Sequence, residues 1–277
     1  MLTAVKTDSI FQMGLITMPE DEYHAHEAIG STSLSYALKS AAHYKAYMSE
    51  QVTPSEAMLF GSQVHRAILE PERFDFTVAC KPEGMSFVTK EGKAWREQNS
   101  NKEIMKYEDY RSAIAIANKV KNHEFLAPLF ARGDSEQSAF WIDPNTQLEC
   151  KARFDFITSD GIAIDFKTTS NGASAHDFAS TASQRNYHIQ AAHYIDGAIS
   201  KGIKIERYLF VVIETTGSNE LAVFELNKDS LIKGLKDRDT ALEVIKNAKQ
   251  TGVYKGYPTE PQLISLKQWK LNEGEYE

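Results

Sequence analysis

Two aspartates and a lysine, Asp155, Asp165 and Lys167, lie within short apolar runs, "RFDFI" and "GIAIDFKTT", that otherwise read as buried strands. Paired carboxylates hold hard cations such as Mg²⁺ or Mn²⁺, and an ammonium two residues beyond one of them is placed to stabilise a phosphate or a nucleophilic water. Register decides whether the three meet. A three-residue loop of Ser159, Asp160 and Gly161, with Gly161 left-handed, sets Asp155 opposite Asp165 and Arg153 opposite Lys167. For the preceding hairpin, a loop at Pro144 and Asn145, or one of Asp143 to Thr146, sets Glu136 opposite Arg153. One face then carries Glu136, Arg153, Asp155, Asp165 and Lys167. The other carries Ala139, Trp141, Cys150, Ala152, Phe154, Phe156, Ile164 and Phe166.

Two readings of the charged face compete. The solvated side of an amphipathic sheet explains alternating charge and the pairing of Glu136 with Arg153. It does not explain Asp155 opposite Asp165, because like charges about 5 Å apart repel by roughly 3 kcal/mol at an effective dielectric near 20. A bound cation turns that repulsion into a site.

The flanking elements must hold these groups in place. Residues 31–50 have helical periodicity, with Ser31 or Ser33 as caps; Lys39, His43 and Lys45 form either a solvated face or phosphate contacts. The next helix opens on a capping box, Thr53 with Glu56, has Pro54 at its first position and stops at Pro71. His65 shares its stripe with Gly61, Val64, Ile68 and Leu69, which suits a hydrogen-bonded core histidine as well as a ligand. A strand is expected over 74–79, and helices over 90–98 and 107–121 with a piece reaching Phe130. Three antiparallel strands form the meander, followed by helices over 175–183 and 187–200, strands "RYLFVVIE" and "LAVFEL", and a helix over 230–249. Gln190 and Tyr194, four apart, share one helical face, either to pack it or to serve the site.

Composition narrows the function classes. The chain has 277 residues, 42% hydrophobic, with no repeat, linker or low-complexity run, which predicts one domain with a core over about 29–250 and a tail over 251–277. Two cysteines, Cys80 and Cys150, exclude a disulfide framework and a four-cysteine metal site within the chain. A net charge of −7 excludes a generic nucleic-acid coat and leaves room for a local basic groove or a metal. No stretch reads as a leader or a membrane span, so a soluble, cytoplasmic protein without a membrane partner is expected.

Asp155, a ten-residue step across a hairpin, then Asp165-Phe166-Lys167, resembles the PD-(D/E)xK nuclease superfamily. With "GSQVHRAILEP" upstream, "EQSAFW" before the hairpin and "YHIQAAHY" after it, the region from about Ile29 to Glu214 resembles the RecE-type phage and prophage exonucleases (exonuclease VIII), related to RecB-type nuclease domains. The resemblance implies an α/β restriction-endonuclease-like core, a mixed central sheet with an antiparallel meander flanked by helices. It implies Asp155 and Asp165 as metal-binding catalytic carboxylates, Lys167 as the catalytic lysine, His65 as a metal ligand and the Phe166 carbonyl as another. Glu136 matches an acidic position that serves the metal's outer shell or orients Arg153. Gln190 and Tyr194 match a Q-x-x-x-Y motif, with Tyr187 and His188 as further DNA contacts. One departure stands out: Phe154 precedes Asp155 where family members often have proline, which alters packing and removes no ligand.

The implied activity is Mg²⁺-dependent digestion of double-stranded DNA from 5′ ends, leaving 3′ tails for recombination in a bacterial or phage-infected cell. A single-strand annealing protein and a homo-oligomeric ring are the implied partners. The alternatives are a structure-selective endonuclease on the same fold and a catalytically silent DNA-binding or assembly module.

Overall fold

A computed structural model describes residues 14–50 and 53–272. The N-terminal stretch Met1 to Ile10, read above for a leader, lies outside the described residues, as does the end of the tail. A short strand β1 (Ile16–Thr17) and helix α1 (Glu20–Ala25) precede α2 (Ser31–Lys39) and α3 (Ala41–Ser49). The single helix expected over 31–50 is therefore two. Ser40 is extended, and its Oγ accepts the His43 N–H at 3.2 Å to start α3.

Helix α4 (Glu56–Leu69) is capped by Ser55, whose side chain accepts the Met58 N–H, rather than by the predicted Thr53. Pro71 ends α4 and opens α5 (Pro71–Thr77) at its first turn, where a missing N–H costs nothing. The strand expected over 74–79 is consequently mostly helix, and only β2 (Val78–Cys80) is extended. Strand β3 (Glu103–Met105) pairs with β2 in parallel, with α6 (Lys90–Gln98) between them in sequence, and α7 (Tyr107–Lys121) and α8 (Ala127–Phe130) follow.

Strands β4 (Gly133–Ile142), β5 (Glu149–Thr158) and β6 (Ile162–Thr169) form the meander. Helices α9 (Ala175–Gln184) and α10 (Tyr187–Ser200) cross over to β7 (Arg207–Glu214), parallel to β6, and β8 (Leu221–Glu225) closes the edge. The sheet order is β1-β4-β5-β6-β7-β8, mixed as expected. Helix α11 (Lys228–Thr251) packs on α2, α3 and α10, and α12 (Gln268–Leu271) ends the described chain. Among the described residues no helix is long and apolar enough to cross a membrane.

The β5–β6 register is the one the Gly161 turn requires, with Phe156 against Ile164, and Gly161 has φ +86°. The β4–β5 register differs from expectation by two residues: Ser138, not Glu136, lies opposite Arg153. The loop is longer because Asp143 Oδ1 accepts the N–H groups of Asn145 and Thr146, and Gln147 adopts φ +59°. A shift of two preserves which side chains share a face.

The division into one charged and one apolar face does not hold. Ala139, Trp141, Cys150, Ala152 and Phe154 pack against α2, α3, α9, α10 and α11, whereas Phe156, Ile164 and Phe166 pack with α4, α5, α7 and α8 on the opposite side. Both faces are buried, and β5 changes face at Asp155. Across from it, Glu136 has φ +57° and drops out of the β4–β5 ladder, which resumes in the same register on either side.

Candidate active site

The sheet parts where the acidic residues stand. The β5–β6 ladder holds at Phe156 and Ile157; one step on, Asp155 turns its carboxylate between the strands, and Oδ2 accepts the Phe166 N–H at 2.7 Å. A side chain thus takes the place of a backbone partner, which fixes Asp155 beside β6.

Asp165 is held from three sides. Lys167 Nζ lies 2.6 Å from Oδ2, Gln190 Nε2 donates to Oδ1 at 2.5 Å, and the Tyr208 hydroxyl lies 3.5 Å from Oδ1. The carboxylate side chain is only 4% exposed, so these contacts replace nearly all of its hydration. Lys167 is 21% exposed, and its ammonium stands over the Tyr187 ring at 4.7 Å.

His65 reaches the pair from α4. Its Nδ1 is 3.6 Å from Asp155 Oδ2 and its ring meets Phe166 edge-on. This approach depends on Gly61, one turn earlier: a Cβ there would lie 3.0 Å from Thr168 Oγ1 on β6. Val64, Ile68 and Leu69 of the same helix are buried, as its stripe requires.

Burial and mutual repulsion set the protonation states. Asp155 is pushed up from the usual carboxylate range, first by burial and then by Asp165. For Lys167, burial opposes the charge, but Asp165 chiefly, with Tyr187 and Asp155, outweighs it and raises the pKa, so the amine is an ammonium at neutral pH. Burial and the neighbouring Lys167 lower His65, leaving a neutral imidazole able to act as a ligand. Burial and Asp155 push Glu136 up to about 6, against the pull of Arg153.

A cleft of about 190 Å³ opens on Asp155. It is lined from α1 by Glu20, Tyr23 and His24, from α4 by His65 and Arg66, and from the sheet by Glu136 and Arg153. Arg153 binds Glu136 through Nε and the Met18 carbonyl through Nη1 at 2.9 Å, so it braces the wall of the cleft that it lines. Lys151, two residues earlier, fastens α1 by donating to the carbonyls of Tyr23 and His26, both at 2.7 Å.

Tyr194 packs edge-on against Phe154 and Tyr208, behind Asp165. Tyr187, Gln190 and Tyr194 thus come to the site. His188 does not: its Nε2 lies 3.0 Å from Asp237 Oδ2 on α11. Sequence reasoning missed Tyr208, whose signal lies in the parallel β6–β7 register that sets Phe210 beside Asp165. It also missed the α1 wall, whose six residues carry no strong periodicity.

Among the described residues no three His, Cys, Asp or Glu side chains converge on one ion as they stand. Asp155 is turned to the Phe166 amide, and Asp165 to Lys167 and Gln190. The donor set nevertheless fits a hard divalent cation. Asp165 Oδ2 is buried without an aligned hydrogen bond, and the charge beside it is the Lys167 ammonium. Asp155 and His65, whose Nδ1 lies 3.6 Å from Asp155 Oδ2, add a second carboxylate and a neutral imidazole on the neighbouring strand and helix.

A family model described as a PDDEXK-like domain of unknown function matches residues 30–262. No curated protein matches the sequence. A solved structure from Eubacterium rectale, provisionally described as an exonuclease, is similar with a TM-score of 0.61 at 11% identity, covering 94% of this chain and 99% of that one; this is a likeness of fold. Against the structure of SSO0001 the identity is 14%, with 75% of this chain and 83% of that one covered, and the TM-score of 0.28 carries no argument. The mixed sheet, the parted strands at Asp155 and the Asp165-Phe166-Lys167 run are those of a PD-(D/E)xK-type core, and the chain belongs to the PDDEXK-like family.

Proposed function

We propose that this nuclease-type domain is a Mg²⁺-dependent deoxyribonuclease, and that it digests double-stranded DNA from 5′ ends to leave a 3′ single strand. The observation that carries the nuclease reading is the convergence of Asp155, Asp165 and Lys167 at the place where β5 and β6 part. The exonuclease reading rests on the resemblance to RecE-type enzymes. An annealing protein that takes up the 3′ strand, and a ring of copies around the DNA, belong to the same proposal, as does action in the bacterial cytoplasm.

Asp155, Asp165 and His65, with the Phe166 carbonyl, would hold the divalent ion, Mg²⁺ in the first instance and Mn²⁺ as a substitute. When bound, such an ion neutralises charge on the scissile phosphate and acidifies a water. The chain's own groups do the rest. Lys167, charged and beside Asp165, offers hydrogen bonds to a non-bridging phosphate oxygen or to the attacking water, and so favours the charge that grows in the transition state. Gln190 and Tyr208 keep Asp165 from rotating away when Lys167 turns to the substrate. Glu136 and Arg153 hold the wall of the cleft.

The test is digestion of linear and covalently closed circular duplex with Mg²⁺. Mg²⁺-dependent loss of the linear form alone supports the exonuclease. Rapid cutting of the closed circle establishes a structure-selective endonuclease instead, and inertness on both with intact DNA binding establishes a silent binding module.

A further inference from the structure

Residues 28–49 and 244–259 contain no Asp or Glu, although these make up 38 of the 277 residues. The fold brings the two stretches together. Helix α11 packs on α2 and α3, the Ala42 N–H donates to the Lys255 carbonyl at 3.0 Å, and Gly256 lies against Ala42. What they build jointly is a surface of tyrosines and ammonium groups.

Tyr36 and Tyr47 stack with centroids 4.5 Å apart and planes 12° apart, and Lys39 stands over Tyr36 at 5.1 Å. Lys45 stands over Tyr254 at 4.8 Å, and His43 meets Tyr257 edge-on. Lys39, Lys45 and Lys255 are exposed, and Tyr257 is 73% exposed. The surface adjoins the cleft along the chain: α2 opens at Ser31, six residues after the end of α1, whose Glu20, Tyr23 and His24 line the cleft.

An acid-free face on an acidic chain attracts a polyanion, and solvent-facing aromatic rings among the cations suit one whose bases are unstacked. A duplex hides its base faces and would leave the tyrosines unused. We propose that the face formed by α2, α3 and residues 254–257 is a track for single-stranded DNA leading to or from the cleft. The proposal deepens, and rests on, the deoxyribonuclease reading.

The test measures binding of a fluorescein-labelled oligothymidylate of about 20 nucleotides by anisotropy, with chelator present so that nothing is cut, from about 50 to 200 mM salt. Lys39→Gln/Lys45→Gln/Lys255→Gln and Tyr257→Ala are compared with wild type; all four side chains are at the surface, and a thermal melt confirms the fold. The triple variant is expected to bind at least about tenfold more weakly, with a salt slope shallower by about 2, since each phosphate contact on a single strand contributes roughly 0.7. Tyr257→Ala is expected to lose affinity for the single strand and not for duplex. Unchanged affinity in both variants, no binding by wild type, or equal losses on duplex and single strand would overturn the track. Hydrolysis of bis(p-nitrophenyl) phosphate with Mn²⁺ separates the two claims. If wild type and variants hydrolyse it alike, the surface is distinct from the catalytic groups, as proposed. If none does, the nuclease reading fails while the anisotropy still decides the track.

Discussion

Lys167 Nζ stands 2.6 Å from Asp165 Oδ2, an oxygen that is buried and accepts no aligned hydrogen bond. The ammonium compensates a carboxylate whose position suits a divalent ion. Lys167→Ala is therefore expected to bind the divalent cation at least as tightly as wild type, while nuclease turnover falls by about 10²–10³-fold. Calorimetric titration with Mn²⁺ alongside kinetics separates the effects; equal loss of metal affinity and turnover would contradict this role.

Gln190 acts through Asp165, to which it donates at 2.5 Å. Gln190→Ala leaves Asp165 Oδ1 with only the longer 3.5 Å contact to the Tyr208 hydroxyl and lets the group turn. Metal affinity or activity is expected to fall by about 10–100-fold, with a higher Mg²⁺ requirement as the distinguishing readout. Gln190→Glu sets a second charge against Asp165 and should be worse than Ala.

Gly61 permits α4 to lie close to β6, with only 3.0 Å between an added Cβ and Thr168 Oγ1. Gly61→Leu is expected to push the helix and His65 outward, lowering activity by about 10²-fold, the usual cost of roughly 1 Å of misplacement. Loss of stability without loss of activity would show that His65 need not be held there.

His193 provides a pH dependence away from the site. Its buried Nε2–H donates to the carbonyls of Ile29 and Lys151, at 3.2 and 3.1 Å. Burial, with Arg238 adding to it, lowers its pKa from 6.5 to about 3. Below pH 6.5 the unfolded chain takes a proton that the fold refuses, so stability falls with pH and levels off near 3. At pH 4.5 the loss from this group is roughly 2–3 kcal/mol. Urea unfolding of wild type and His193→Gln at pH 7.5 and 4.5 measures it: wild type should lose more by about that amount, and equal losses would remove His193 as the cause.

The parts of this structure written locally were legible in its sequence. The Ser159-Asp160-Gly161 loop sets its own register because Gly161 alone supplies the left-handed turn, and the Asp155–Asp165 opposition follows. Gln147 and Glu136 adopt positive φ without any such signal, so the β4–β5 register and the change of face at Asp155 were hidden. Phe74 reads equally as strand or helix in so short an apolar run, and Pro71 decides for helix. The α1 wall is fastened by Lys151 and Arg153, more than 120 residues away, a pairing that periodicity cannot reveal.

The most direct test is release of nucleotides from duplex DNA labelled at either the 5′ or the 3′ end, by wild type and Asp165→Asn, with Mg²⁺ and with chelator. Early release of the 5′ label by wild type with Mg²⁺, none with chelator, and a loss of several orders of magnitude in Asp165→Asn are expected. Release that persists in chelator or in Asp165→Asn would contradict a metal-dependent nuclease centred on Asp155, Asp165 and Lys167.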